Sequence, residues 1–454
     1  MRQEGTTVSR DRVGYRGHAT TFLWFAAFLV GFLTICSFLS SRPSSSLAAT
    51  DDTSLVSTST REGRLAVFDD LWETIQSRYY DPAFRGIDWN AKRTTFRPAA
   101  AEASGTQEFY EVLRQMVASL RDAHTRVYSP EEKFDWWNPR FVTAGLTIRE
   151  IETLPTVVQV ESNSDPARAG IRPGDVIVKI DDVPATNLIE RRLQNSPAPS
   201  YVNFARFRTI ANLLEGPPSA SVRVAWQGRD GEIKSAVFQR HWTQRRLGIH
   251  IRHKGNIAIL EIDAFTQTVA FDFVRALPKT IQGARGIILD LRSNGGGDAE
   301  AMADVASAFL GDGVNLGLFA DRSGASFELQ TNSKLLWPAA PLTQIKLPLV
   351  VLTSESTSSA AEILGAALQK NQRARLLGTE TCGCVLAIRS RHALPDGGIL
   401  DVSEFDYRTA EGVRLEGIGL KPDQTIKPKR SDIYSRRDRA FESGQALLKN
   451  SRTR

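Results

Sequence analysis

Two segments between Gly286 and Val385 decide the fold: GIILDLRSNGGG (286–297) and PLVVLTSESTSSAAEILGAALQKNQRARLLGTETCGCV (348–385). Ile287, Ile288 and Leu289 form a short apolar run that ends at Asp290 and Arg292, the pattern of a buried parallel strand. A glycine turn, Asn294-Gly295-Gly296-Gly297, leads into a helical pattern through Met302, Val305, Ala306, Phe309 and Leu310. Lacking Cβ atoms, such a turn can bring backbone N–H groups close to an anion. The second segment repeats the layout, with a strand at Leu349-Val350-Val351-Leu352, a polar turn from Thr353 to Ser358 and a helix from Ser359 to Lys370. A serine at that turn stands at the positive end of the helix with its hydroxyl presented outward. Ser354, Ser356, Thr357, Ser358 and Ser359 can equally be read as N-caps. A glycine turn beside a serine turn is nevertheless what acyl transfer requires, a hydroxyl nucleophile with N–H donors near it.

These segments resemble the core of the C-terminal processing (tail-specific) serine peptidases and their tricorn-core relatives. In that family a strand ends in LDLRxNxGG and the nucleophile opens a Ser-Ala-x-Glu helix start, here Ser359-Ala360-Ala361-Glu362. The resemblance runs from Leu65 to Asp423. It implies Ser359 as nucleophile and an oxyanion hole made by the amides of Gly296 (or Gly295) and Ala360. In the processing-peptidase branch a lysine twenty-five residues past the serine is the general base, and that position here is Cys384. A Ser–Lys dyad is therefore excluded there. The tricorn-like branch takes its base from an Asp-x-His-Ser/Thr motif, matched by Asp122-Ala123-His124-Thr125. The glutamate before its closing Gly-Val-x-Pro-Asp element is matched by Glu416, ahead of Gly419-Leu420-Lys421-Pro422-Asp423. The implied triad is Ser359, His124 and Glu416, a chemistry that needs no metal or organic cofactor. The competing expectation is an inactive peptidase-like binding scaffold, because the family's usual lysine is replaced by Cys384.

The rest of the chain fits an α+β multidomain protein: a membrane helix, a helical segment, a β-rich PDZ domain and an α/β, crotonase-like peptidase core. With 454 residues, 41% of them hydrophobic, it can bury two or three cores. Residues 1–18 are basic and precede an uncharged apolar segment, Thr21–Leu39, within 19–40. Its length suits a membrane anchor or a signal peptide, and the basic flank places the N-terminus in the cytoplasm with the bulk exported. Membrane anchoring is the preferred expectation, secretion after cleavage the alternative. Residues 41–62 read as a linker. Within 63–140, Leu65, Phe68, Leu71, Trp72, Ile75 and Tyr79 recur at helical spacing, and a second helix spans Thr106 to Leu120.

Residues 141–243 resemble a PDZ domain, with Gly145, Leu146, Thr147 and Ile148 matching the loop whose amides hold a peptide's terminal carboxylate. The expected partners are thus protein or peptide substrates bound by their C-termini. Residues 187–215 read as a helical insertion. The peptidase core takes 244–430, with a hairpin turn at Pro395-Asp396-Gly397-Gly398, and 431–454 is a basic tail expected as a solvated helix. A net charge of +6, scattered or at the termini, gives no basic face for nucleic acid. Of three cysteines, Cys382 and Cys384 are one residue apart, which favours an inert pair in a strand over a strained disulfide, with a redox-sensitive pair beside the site as the alternative in an exported protein.

Overall fold

A computed structural model of the chain describes residues 55–132, 139–195, 202–332 and 344–450. The expected membrane segment at 19–40, the basic residues before it and most of the 41–62 linker lie outside these residues. Among the described residues no helix is long and apolar enough to cross a membrane.

Three helices come first: α1 (Arg61–Arg78), α2 (Trp89–Glu102) and α3 (Thr106–Ala118). α1 begins where the Thr60 hydroxyl accepts the Gly63 N–H at 3.1 Å, and it buries Val67, Phe68, Leu71, Trp72 and Ile75 along one stripe. α3 answers with Phe109, Tyr110, Leu113, Met116 and Val117. The periodicity gives no sign of α2, which contains Pro98 and buries only Trp89, Ala100 and Ala101. Strand β1 (Arg126–Tyr128) leads out of this layer.

A β-rich domain follows. Its elements are β2 (Arg140–Thr143), β3 (Leu146–Ile151), β4 (Leu154–Val160), α4 (Asp165–Arg168), β5 (Val176–Ile180), β6 (Val183–Pro184), α5 (Ala185–Asn195), α6 (Val202–Ala211), β7 (Ser221–Gln227), β8 (Ile233–Gln239) and β9 (His241–Gln244). Strands β3, β4, β5, β7 and β8 pair in that order, so β3 is an edge strand. The stretch expected as a helical insertion is α5 and α6, and α6 runs beside that edge. Arg206 of α6 holds the Glu150 carboxylate of β3 at 2.6–2.9 Å, and Arg149 lies 4.7 Å over the Phe207 ring.

The remaining chain builds the largest core. It runs through β10 (Ile249–Lys254), β11 (Ile257–Ile262), α7 (Gln267–Ile281), β12 (Gly286–Asp290), α8 (Ala299–Leu310), β13 (Asn315–Asp321), β14 (Ser326–Gln330), β15 (Leu349–Thr353) and α9 (Ala360–Lys370). It closes with β16 (Ala374–Gly378), β17 (His392–Ala393), β18 (Ile399–Asp401), β19 (Phe405–Arg408), β20 (Gln424–Thr425), α10 (Arg430–Tyr434) and α11 (Arg439–Asn450). Six strands pair as β10-β11-β12-β15-β16-β20, parallel except for β10. β12 and β15 are buried at every position, which explains their unbroken apolar runs. α7, α8 and α9 cover one face.

The other face is covered by α11, which corrects the expectation of a solvated tail. Ala440, Gly444 and Leu448 recur every four residues and form its buried stripe. Ala440 and Leu448 pack with Ile257, Ile259, Ile288, Val350 and Leu377, and Gly444 lies against Val350 and Ile288.

A last joint ties the first layer to the end of the core. β1 pairs antiparallel with β18, Val127 opposite Leu400, and the Tyr110 hydroxyl donates to Asp396 at 2.8 Å in the turn between β17 and β18. The stretch after α3 is thereby carried next to residues 402–416.

Candidate active site

Ser359 sits immediately before α9 with φ 56° and ψ −126°. A non-glycine residue in so sparsely populated a region costs about 1–3 kcal/mol and persists only when its surroundings dictate it. Here its N–H donates to the Cys384 carbonyl at 2.9 Å and to Glu362 Oε2 at 3.1 Å. Glu362 is fully buried and also accepts the N–H groups of Gly383 (2.7 Å) and Cys384 (2.9 Å) and the Thr381 hydroxyl. Burial raises its pKa, and those four donors oppose the rise. Two other hydroxyls of the serine turn are spent on β12's end: Ser354 donates to the Arg292 carbonyl (2.6 Å) and Thr357 to that of Leu291 (2.8 Å).

The glycine turn lies against Ser359. Gly296 has φ +95°, and a Cβ there would fall 2.5 Å from Ser359 Cβ, so no other residue fits. Its N–H, however, donates to Asn294 Oδ1 at 2.8 Å. This corrects the expectation of Gly296 as an oxyanion donor, because that amide is already spent. The amides of Gly295 and Ala360 have no acceptor among the described residues. Buried Asn294 also donates through Nδ2 to the Ile262 carbonyl (3.0 Å) and accepts the Ser358 N–H on its own carbonyl (3.1 Å). It thereby stitches the two turns together.

Cys382 and Cys384 form a disulfide, contrary to the expected unpaired strand residues. They lie in an irregular turn between β16 and β17. Gly383 at φ +73° folds the chain so that their Cα atoms are 5.3 Å apart, within the span of roughly 4.4–6.8 Å that disulfides bridge. Ala123, the residue before His124, packs on both cysteines, with Phe204 of α6 alongside. On the far side of the turn the Val385 and Leu386 N–H groups donate to Glu416 Oε2 at 2.8 and 3.2 Å.

Asp122 builds the histidine loop. Its Oδ1 accepts the N–H groups of His124 (2.8 Å) and Thr125 (2.7 Å) and the Ser403 hydroxyl (2.9 Å), and its Oδ2 accepts the Thr125 hydroxyl (2.8 Å). His124 Nδ1 is buried with no hydrogen-bond partner. Burial, with help from Arg126 and against Asp122, pulls the imidazole down to about 4, so it is neutral at pH 7. Burial pushes the Glu416 carboxyl up to about 8, Asp122 adding to the rise and Arg85 opposing it. Ser359, the His124 loop and Glu416 thus border one turn, 381–386, and His124 Nδ1 makes no hydrogen bond to Glu416.

Gly145 stands at φ +81°, its N–H donating to Thr143 Oγ1 (2.9 Å) and its carbonyl accepting the Glu161 N–H (2.9 Å). Leu146, Thr147 and Ile148 continue along edge strand β3, with Ile148 buried. A cavity of about 1140 Å³ opens from Gly145, Leu146 and Thr147 past Arg149 to Ser354 and Glu355 of the serine turn. Arg149 reaches Ser356 Oγ at 3.4 Å. Among the described residues no group of His, Cys, Asp and Glu could hold a metal ion.

Sequence reasoning singled out neither Glu362 nor Asn294 nor Ser403 as a working residue. Glu362 had a signal, since Ser-x-x-Glu at a helix start is a capping-box pattern. Ser403 had none, because its partner Asp122 is distant in the chain.

Residues 256–426 match the model of Peptidase family S41, and residues 61–118 match the Tricorn protease C1 domain. The carboxyl-terminal-processing protease of Picosynechococcus sp. is 27% identical over 364 residues, covering 78% of this chain and 81% of its own. Carboxyl-terminal-processing peptidase 1, chloroplastic, of Arabidopsis thaliana is 26% identical over 395 residues, covering 83% and 74%. Among solved structures, the photosystem II D1 C-terminal processing protease aligns with a TM-score of 0.51 at 23% identity over 80% of this chain and 93% of its own. Mature CPAF complexed with lactacystin aligns with a TM-score of 0.64 at 13% identity, over 86% and 97%. Both share the fold. These matches define a serine-type peptidase. Over residues 256–426 the chain is similar to peptidase family S41.

Proposed function

We propose that the chain is a serine endopeptidase acting on exported proteins or peptides, with Ser359 as nucleophile, His124 as general base and Glu416 as the group that orients the imidazole. The amides of Gly295 and Ala360 serve as oxyanion donors. The observation that carries this reading is Ser359 itself, held in a left-handed conformation at the head of α9 with two unpartnered amides beside it. His124 takes the Ser359 proton as the hydroxyl attacks the scissile carbonyl and returns it to the leaving amine. Its neutral state suits it to that task. Bringing Glu416 onto Nδ1 requires the imidazole and the carboxyl to close on each other, as catalytic hydrogen bonds do when substrate binds.

The β-rich domain reads as a PDZ domain. The residues after Gly145, whose own amide is spent on Thr143, take a substrate's terminal carboxylate, and the edge of β3 takes its last residues by strand addition. The adjoining cavity leads from that edge toward the serine turn. Export through segment 19–40, as anchor or cleaved signal, agrees with a disulfide in the site, since disulfides persist in oxidising compartments.

The test is to incubate the purified full chain with casein and repeat with Ser359→Ala and His124→Ala. Each substitution is expected to lower the rate by about a thousandfold or more. Cleavage that survives both would remove the triad, and a wild-type chain that neither cleaves casein nor reacts with a fluorophosphonate would leave a binding scaffold.

A further inference from the structure

We propose that the Cys382–Cys384 disulfide is a positioning element for Ser359 and that reducing it switches the peptidase off. The proposal rests on Ser359 being the nucleophile. Four contacts make the disulfide turn the common support of the site. The Cys384 carbonyl accepts the Ser359 N–H at 2.9 Å, and the Cys382 N–H donates to the Thr357 carbonyl at 3.0 Å, two residues earlier in the serine turn. The amides just past Cys384 hold the Glu416 carboxyl, and both cysteines pack on Ala123, next to His124. Residues 380–386 belong to no helix or strand, and their amides bond instead to Leu420, Thr357, Glu362 and Glu416, each on a different segment of the chain. The covalent ring ties those bonds to one shape, by removing alternatives that an open turn around Gly383 would sample.

The support matters because Ser359 is held where serine does not settle by itself. With φ at 56°, its backbone needs the Cys384 carbonyl and the Glu362 carboxylate in place. Glu362 in turn accepts the N–H groups of Gly383 and Cys384, so both restraints on Ser359 run through the same turn. Opening the ring frees the turn, and a displacement of the hydroxyl by about 1 Å can cost a hundredfold in rate.

The chemistry is ordinary thiol–disulfide exchange. One thiolate of a dithiol attacks a cysteine sulfur, the S–S bond breaks and the other cysteine leaves as a thiolate. The reductant's second thiol then closes on the mixed disulfide, so the protein gains two electrons and two protons and the reductant ends as a cyclic disulfide. Cys382 and Cys384 are only 6% and 1% exposed, and Phe204 of α6 packs against them. Reduction therefore requires the packing around the two cysteines to open.

The experiment uses the full chain, oxidised or treated with dithiothreitol and then freed of it. Alkylation and mass mapping read the state of Cys382 and Cys384, and near-ultraviolet circular dichroism checks folding. Fluorophosphonate labelling of Ser359 and the kcat and KM for a peptide are compared between states. Reduction is expected to slow labelling and lower kcat at least about tenfold, with KM changed by less than about twofold and activity restored by reoxidation. A Cys382→Ser/Cys384→Ser double variant that folds should behave like the reduced chain. Equal labelling in both states overturns the proposal and leaves Ser359's role intact. Free thiols in untreated protein, or loss of folding on reduction and in the double variant alike, also overturn it. No labelling in either state overturns the reading of Ser359 and the proposal with it.

Discussion

Replacing Glu362 by glutamine tests how the site is held without touching any group read as reactive. Each carboxylate oxygen accepts two donors: Oε1 takes the Thr381 hydroxyl and the Gly383 N–H, and Oε2 takes the N–H groups of Cys384 and Ser359. Glutamine has one acceptor oxygen, so whichever way its amide turns, an NH₂ faces two donors. Two charge-assisted hydrogen bonds are lost at roughly 1.5–3 kcal/mol each, about 3–6 kcal/mol in all. Part of this returns because the neutral amide avoids burying a charge, the cost that raises the Glu362 pKa. A net loss of about 2–4 kcal/mol is expected, together with slower fluorophosphonate labelling of Ser359. The assay is differential scanning fluorimetry of the two full chains beside a labelling time course. A variant with an unchanged melting temperature and an unchanged labelling rate would refute the idea that Glu362 organises the turn.

Three further outcomes are expected. The acid limb of kcat/KM should lie well below the ordinary histidine value of 6.5, toward about 4, because burial makes the His124 imidazole reluctant to protonate; an inflection at 6.5 in a pH–rate profile would contradict the buried, neutral state. Glu416 has a folded-state pKa raised to about 8, so its contribution to stability is complete below the ordinary carboxylate range and declines as pH rises toward 8; thermal melts between pH 5 and 9 should show that decline, and Glu416→Gln should flatten it. Leu448→Ala should cost about 2–5 kcal/mol by opening a void beside Gly286 and Ile288, which chemical denaturation would register.

The strands at 286–290 and 349–353 were legible because burial on both faces writes an unbroken run of Ile, Leu and Val. The hairpin turn at 395–398 was legible from its Pro-Asp-Gly-Gly chemistry. α2 was hidden because it buries too little to leave a period. The tail's role was hidden for another reason: Ala440, Gly444 and Leu448 are small or few, and the charges between them dominate a linear reading. In the site, the Gly296 amide is spent on the Asn294 side chain two residues back, and the cysteines pair across Gly383 at φ +73°; both outcomes turn on local conformation rather than on residue type alone.

The docking of α11 bears on how the molecule is born. Ile257, Ile288 and Val350 belong to strands made well before the last helix, but their outer face stays bare until residues 439–450 emerge and settle on it. A ribosome stalled before that point holds a greasy sheet with nothing to cover it. The segment that looks most like a dispensable charged tail is therefore the lid that ends the chain's most vulnerable interval.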